Sequence, residues 1–521
     1  MSKYIEPSQQ SGGRENKATT VKKPVRSLDE HNAMERGLNN RHVQFIAIGG
    51  AIGTGLFLGA GKSINLTGPS IVLVYVFVGF MMFIMMRAIG ELMYRDPSQH
   101  TFINFIRRYL GDGWGTFSLW SYWLVLILIG MTELTAVGQY CVTFFGTFGI
   151  DLSAWQWLIE LVFLAALVGI NLIAVNVFGE AEFWFSMIKI TLILAMIATA
   201  VVMLVIGYRY NAVQVPGQDH VSPAGSVSVR NITDGLSLAP NGWASFLMSF
   251  QMVFFAYEMI EFVGVTVSET KNPRKVLPKA VNGILVRVLI FYVGALLAIM
   301  TIVPWRNFAP NEDGSFTSPF IMVFEYAGLH WAAAVVFFVV LTAAASSLNS
   351  LLYSAGRHLY QLAEASPSPA MGLLGTVSKT KVPARAVIAS ALLIVLSPII
   401  ELLPHVSGAF VLFSSASSAV IIFIYILTMV AHHRYRRSPD FLPDGFLMPC
   451  YRVADPVVIA FFVFIYLTLF IGADTRGPAL VGLLWLVIFG GRCLLRDRLH
   501  NRGRQRSLDS HADDAAGCDK S

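Results

Sequence analysis

Apolar residues in this chain gather into long unbroken runs instead of alternating with polar ones. Twelve runs can be marked, at about 43 to 61, 67 to 94, 114 to 148, 154 to 173, 183 to 207, 243 to 267, 284 to 303, 330 to 350, 384 to 403, 407 to 431, 455 to 472 and 476 to 495. Most are near the roughly 20 residues with which a helix, rising about 1.5 Å per residue, crosses a hydrocarbon layer about 30 Å thick. The pattern predicts an all-α membrane protein with twelve transmembrane helices. A β-barrel would show short segments of alternating hydrophobicity, and none dominate. Composition agrees: 55% of the 521 residues are apolar and 13% charged, against roughly 25% charged in soluble domains. With a mean hydropathy of +0.61, soluble globular and disordered classes are both excluded.

Charge then orients the spans. Of the 38 Lys and Arg residues, 31 fall in the two tails and in alternate connections, so an even number of spans leaves both termini in the cytoplasm. The net charge of +6 is therefore that of an inner membrane face, and no nucleic-acid partner is implied. Residues 1–42 are polar and lack the apolar core of a secretory signal, so the first span is expected to serve as its own insertion signal. Cys141, Cys450, Cys493 and Cys518 are scattered over a span, a loop, a span end and the tail, which predicts free thiols.

Two spans carry interruptions. The first holds Gly49-Gly50-Ala51-Ile52-Gly53-Thr54-Gly55, and the sixth holds Tyr257-Glu258-Met259-Ile260-Glu261. Breaks at positions one and six predict two five-helix repeats. The expected organisation is a cytoplasmic tail (1–42), a first repeat (43–207), an outer linker (208–242), a second repeat (243–431), helices 11 and 12 with their preceding loop (432–495), and a cytoplasmic tail (496–521). Four glycines in seven residues cost about 1 kcal/mol each relative to Ala in a helix, so they need a reason. One reason is close helix packing. The other is an unwound hinge whose N–H groups cradle a carboxylate and whose carbonyls accept an ammonium, a combination that suits an amino acid zwitterion.

Three carboxyl groups, Glu133, Glu258 and Glu261, lie at membrane depth. An unpaired charge there costs several kcal/mol, and a proton removes it, so protons are the expected coupling ion. Lys189 in the fifth span either snorkels to the cytoplasmic interface or finds acceptors inside the bundle, with Ser346, Ser347 and Asn349 completing that site. Motifs of soluble enzymes are weak. Gly53, Gly55 and Gly59 loosely match a phosphate loop but lie within a span, and His432-His433 followed by Arg434, Arg436 and Arg437 reads as an inside flank.

Arg36-Gly37-Leu38-Asn39-Asn40-Arg41-His42, the run from Gly49 to Gly59 and Arg87-Ala88-Ile89-Gly90-Glu91-Leu92 resemble the amino acid permeases of the amino acid-polyamine-organocation superfamily. Gly179-Glu180-Ala181-Glu182-Phe183-Trp184-Phe185, Glu261-Phe262-Val263-Gly264, Ser268-Glu269-Thr270-Lys271-Asn272-Pro273 and the stretch from Leu341 to Ser350 extend the resemblance over about residues 36–495. It implies a twelve-helix inverted-repeat fold with helices 1 and 6 broken, and a midplane site between spans 1, 3, 6, 8 and 10. It further implies that the backbone of Ile52, Gly53, Thr54 and Gly55 takes the substrate carboxylate. Phe255 corresponds to an outer gate; Tyr257 and Glu258 in the sixth-span break are expected beside the substrate, and Glu133, Lys189 and Glu261, as titratable groups within the spans, are expected to serve proton coupling. By the same resemblance Lys189 sits against backbone carbonyls of the broken first span. The small residues usual before Ile260 are here Glu258 and Met259.

Within that family, Glu261 to Ala280 and Leu341 to Ser350 are most similar to permeases for serine, alanine and glycine, including D-isomers. Glu133 to Gly138 equally resembles aromatic amino acid permeases. The expected activity is proton-coupled import of a small neutral amino acid across the cell membrane by alternating access, with no cofactor. Its expected partners are the amino acid, protons and the lipid bilayer. An ion channel would show a continuous polar face, and a membrane enzyme would show His, Asp or Cys groups clustered at one interface.

Overall fold

The computed structural model describes residues 53–501 apart from 98, 100, 147, 174, 216–220, 235, 263–271, 312–315, 365, 367 and 404–407. Ile52, the glycines before it, the N-terminal tail and residues 502–521 of the C-terminal tail lie outside the described residues. Runs rich in Leu, Ile, Val and Phe have no water to satisfy their backbone groups inside a membrane, so they close those bonds internally as helices. Among the described residues, ten helices are long and apolar enough to cross a membrane. They coincide with the second to fifth and the seventh to twelfth expected runs, leaving the two runs predicted to be interrupted.

Those two are broken or short. The first continues from Gly53 as α1 (Thr54–Phe57) and α2 (Gly59–Thr67). The sixth is α8 (Trp243–Tyr257), which gives way to a turn over Glu258–Glu261 with Met259 in the left-handed region at φ 68°. The continuous helices include α3 (Ile71–Arg95), α5 (Asp112–Gly146), α6 (Gln156–Ile173) and α7 (Val175–Val205), with the amphipathic α4 (Ile103–Leu110) between α3 and α5. After α8 come α9 (Pro273–Arg287) and α10 (Ala295–Ile302), joined by a wider turn into one span. The short α11 (Pro319–Tyr326) follows, then α12 (His330–Glu364) and α13 (Ala384–Ile394). The chain finishes with α14 (Leu396–Glu401), α15 (Ala409–Tyr435), α16 (Tyr451–Thr468) and α17 (Ala473–Trp485).

The long helix α5 packs against both α12 and α15, while α2 and α8 lie side by side. Glycine makes the approach of α1 and α2 to α8 possible, because a Cβ on Gly55 would stand 2.6 Å from Ala256 Cα and one on Gly59 2.8 Å from Met252 Sδ. Helix α7 starts at Val175, about two turns before the expected run, since Gly179-Glu180-Ala181-Glu182 lowers hydropathy without breaking the helix. The connection expected to be a plain linker contains two antiparallel strand pairs, β1 (Arg209–Tyr210) with β4 (Gly225–Ser226) and β2 (Val213–Gln214) with β3 (Val221–Ser222). Its Tyr210 ring packs on Tyr326 at 5.0 Å, and Asn231 Nδ2 donates to the Thr301 carbonyl at 2.9 Å.

At the Lys- and Arg-rich end, charges knit several helices together. Arg436 Nε lies 2.7 Å from Glu91, and His432 lies 2.9 Å from Asp455 and 3.3 Å from Glu91. In that inside flank His432 is fully buried between carboxylates of α3 and α16.

Candidate functional site

Gly53 leads into α1 with no side-chain cap, so the first amide groups of that turn lack intrahelical partners. Glu133 of α5 supplies one. Its Oε1 accepts from the Thr54 N–H at 3.4 Å and from Ser347 Oγ of α12 at 3.0 Å. Glu133 Oε2 has no hydrogen-bond partner among the described residues, and Glu133 is 3% exposed. Gly53 is required by this contact, because a Cβ there would sit 2.9 Å from Glu133 Oε1 and 3.2 Å from Ser347 Oγ. In the described part of the glycine run, Gly53 admits the Glu133 carboxyl group, while Gly55 and Gly59 admit a neighbouring helix.

Lys189 is fully buried, which removes the snorkelling alternative. The charged groups acting on it are Glu182, on its own helix, and Glu133. Glu182 accepts from Ser346 Oγ and Asn349 Nδ2, both at 2.9 Å, and Asn349 Oδ1 in turn accepts from Asn171 Nδ2 at 2.7 Å. Ser346, Ser347 and Asn349 thus serve two carboxyl groups around one lysine. Sequence reading did not select Glu182. It precedes Lys189 by seven residues, two helical turns, which puts both on one face, and that spacing is the signal that identifies it.

The break in the sixth span holds the remaining groups. Glu258 accepts from Ser417 Oγ at 2.9 Å and from Ser418 Oγ, both on α15. Glu261 accepts from Tyr122 OH of α5 at 3.2 Å and Tyr425 OH of α15 at 2.7 Å. Tyr257 turns its hydroxyl to the Tyr75 carbonyl of α3 at 3.0 Å and stacks on Tyr292. Phe255 meets Phe410 of α15 edge to face at 5.8 Å. One group of residues, Gly53, Thr54, Glu133, Ser347 and Lys189, therefore joins α1, α5, α7 and α12. A second, Glu258 and Glu261, ties the break to α5 and α15. Buried carboxyls, a buried lysine and uncapped amides can bind a zwitterion and exchange protons. Among the described residues, no cluster of three or more His, Cys, Asp or Glu is arranged to hold a metal ion.

A profile of the amino acid permease family matches residues 42–490. This chain belongs to the amino acid permeases. Among its relatives, the serine permease SerP1 of Lactococcus lactis subsp. cremoris is 43% identical over 89% of this chain and 98% of its own length. The DL-alanine permease SerP2 of the same organism is 44% identical over 88% of this chain and 95% of its own. The D-serine/D-alanine/glycine transporter of Escherichia coli is 38% identical over 88% of this chain and 93% of its own. The permease is thus a multi-pass membrane transporter of amino acids and not an enzyme, and its all-α architecture is that of its superfamily.

Proposed function

We propose that this permease imports small neutral amino acids, serine, alanine or glycine in either chirality, together with a proton and by alternating access. The substrate class is supported by the printed specificities of the three relatives. The observation that carries the coupling is the contact of the buried Glu133 carboxyl with the Thr54 amide. That amide belongs to the stretch Ile52-Gly53-Thr54-Gly55, where the substrate carboxylate is to bind. Two carboxylates cannot both stay ionised on the same donors in a low-dielectric site. Substrate entry therefore requires Glu133 to be protonated or drawn toward Lys189, which makes substrate occupancy and proton occupancy interdependent. Phe255 with Phe410 then closes the site on one side, and Glu258 and Glu261 keep the sixth-span break tied to α15 while it moves. Both tails face the cytoplasm of a cell whose plasma membrane the permease spans.

Uptake of labelled alanine into proteoliposomes tests this. Accumulation is expected to follow an imposed proton gradient, with competition by L- and D-serine and glycine and little by phenylalanine. Accumulation that needs sodium and survives collapse of the proton gradient would overturn the coupling. Stronger competition by phenylalanine than by serine would overturn the substrate class.

A further inference from the structure

A further buried acidic group lies where α5, α6 and α14 meet, on none of the elements of the broken helices. Glu160 of α6 is fully buried, and Glu401, the last residue of α14, stands beside it, the two carboxyl groups sharing one amide donor. Gln156 Nε2 donates to Glu160 Oε1 and to Glu401 Oε2, each at 3.0 Å. Glu401 Oε1 accepts from Thr135 Oγ1 of α5 and, at 3.4 Å, from Ser397 Oγ. Glu160 Oε2 is sealed from solvent and has no partner among the described residues. The place is built for this side chain: a Cβ on Gly138 of α5 would stand 2.8 Å from Glu160 Cγ and would collide with its carboxyl oxygen. Among the described residues no Lys, Arg or His reaches ion-pair distance of either carboxyl, and the other titratable side chain facing Glu160 is Cys141 of α5.

Two ionised carboxylates sharing one neutral amide, with no cation beside them, would repel each other, and Glu160 is shut off from the solvent that would screen it. A single proton resolves both problems. Placed on Glu160 Oε2, it removes the charge from the orphaned oxygen and leaves one negative charge, on Glu401, held by Gln156, Thr135 and Ser397. We propose that Glu160 and Glu401 form a second proton-binding site, separate from Glu133 and Lys189, in which one shared proton clasps α6 and α14 to α5. Removing that proton leaves two like charges at the junction and loosens it.

The proposal is tested on the purified full-length permease in lipid nanodiscs, by infrared spectroscopy and by thermal unfolding across pH. Difference spectra at neutral pH are expected to show one protonated-carboxyl band lost in E160Q and the same band lost in E401Q. The unfolding temperature of the wild type is expected to fall toward alkaline pH. That of E160Q, whose amide donates permanently to Glu401, is expected to stay level over the same range. Should E160Q fail to fold, the wild type against E401Q decides by the infrared band alone. An unchanged band in E401Q, or wild-type pH dependence in E160Q, would overturn the proposal. So would stabilisation by sodium, potassium or calcium chloride that disappears in E160Q, since it would mark a metal-cation site.

Discussion

Gly53 and Gly55 stand two residues apart and face different demands, which makes them a test at the scale of single atoms. A methyl group at 53 meets the ends of two side chains, Glu133 and Ser347, both of which can rotate away, whereas one at 55 meets the Ala256 backbone. G53A is therefore expected to insert and fold normally but to lose most transport, because the carboxyl is pushed off the Thr54 amide. G55A is expected to lower stability by about 1 to 3 kcal/mol, the usual cost of overpacking a closed contact. Uptake assays and thermal unfolding on both variants separate the two, and normal uptake in G53A would argue against the carboxyl cradle. At this scale the sequence was partly legible. Glu133, Glu258, Glu261 and Lys189 stood out as charges in apolar runs, but the hydroxyl partners of Glu258 and Glu261, namely Ser417, Tyr122 and Tyr425, are residues that any membrane helix carries and only the fold brings them to the carboxyls.

Among elements, the apolar runs located the continuous helices because a helix that spans lipid must be apolar for nearly its whole length. They failed at edges where burial by other helices replaces lipid, as at the polar start of α7, and they said nothing of the small strand pairs between the fifth and sixth runs. Inner-end charges were read as a flank for the same reason, since topology rules count Lys and Arg without saying what they touch. The structure divides them. Asp455 is buried between His432 and His433, while Asp440 is 37% exposed opposite Arg108. D455A strands His432 without one of its carboxylates and is expected to cost about 3 kcal/mol. D440A is expected to cost less than about 1 kcal/mol. Equal shifts in unfolding temperature for the two variants would contradict this division.

For the whole molecule, the fold class and the family were legible in the sequence, because the hydropathy runs, two interrupted spans and ordered motifs all agree. The centre was legible only in part. Glu182 hides in a polar segment two turns before Lys189, and its own partners, Ser346 and Asn349, became visible only once α7 and α12 were set side by side. The central claim is that Lys189, with Glu133 and Glu182, links proton movement to substrate movement. Measuring substrate exchange and proton-driven accumulation in the same vesicles, for the wild type and for K189M, tests it most directly. K189M keeps the apolar stem without the ionisable head, so exchange is expected to persist while accumulation against a gradient is lost. Accumulation at the wild-type level and with wild-type pH dependence in K189M would contradict the account.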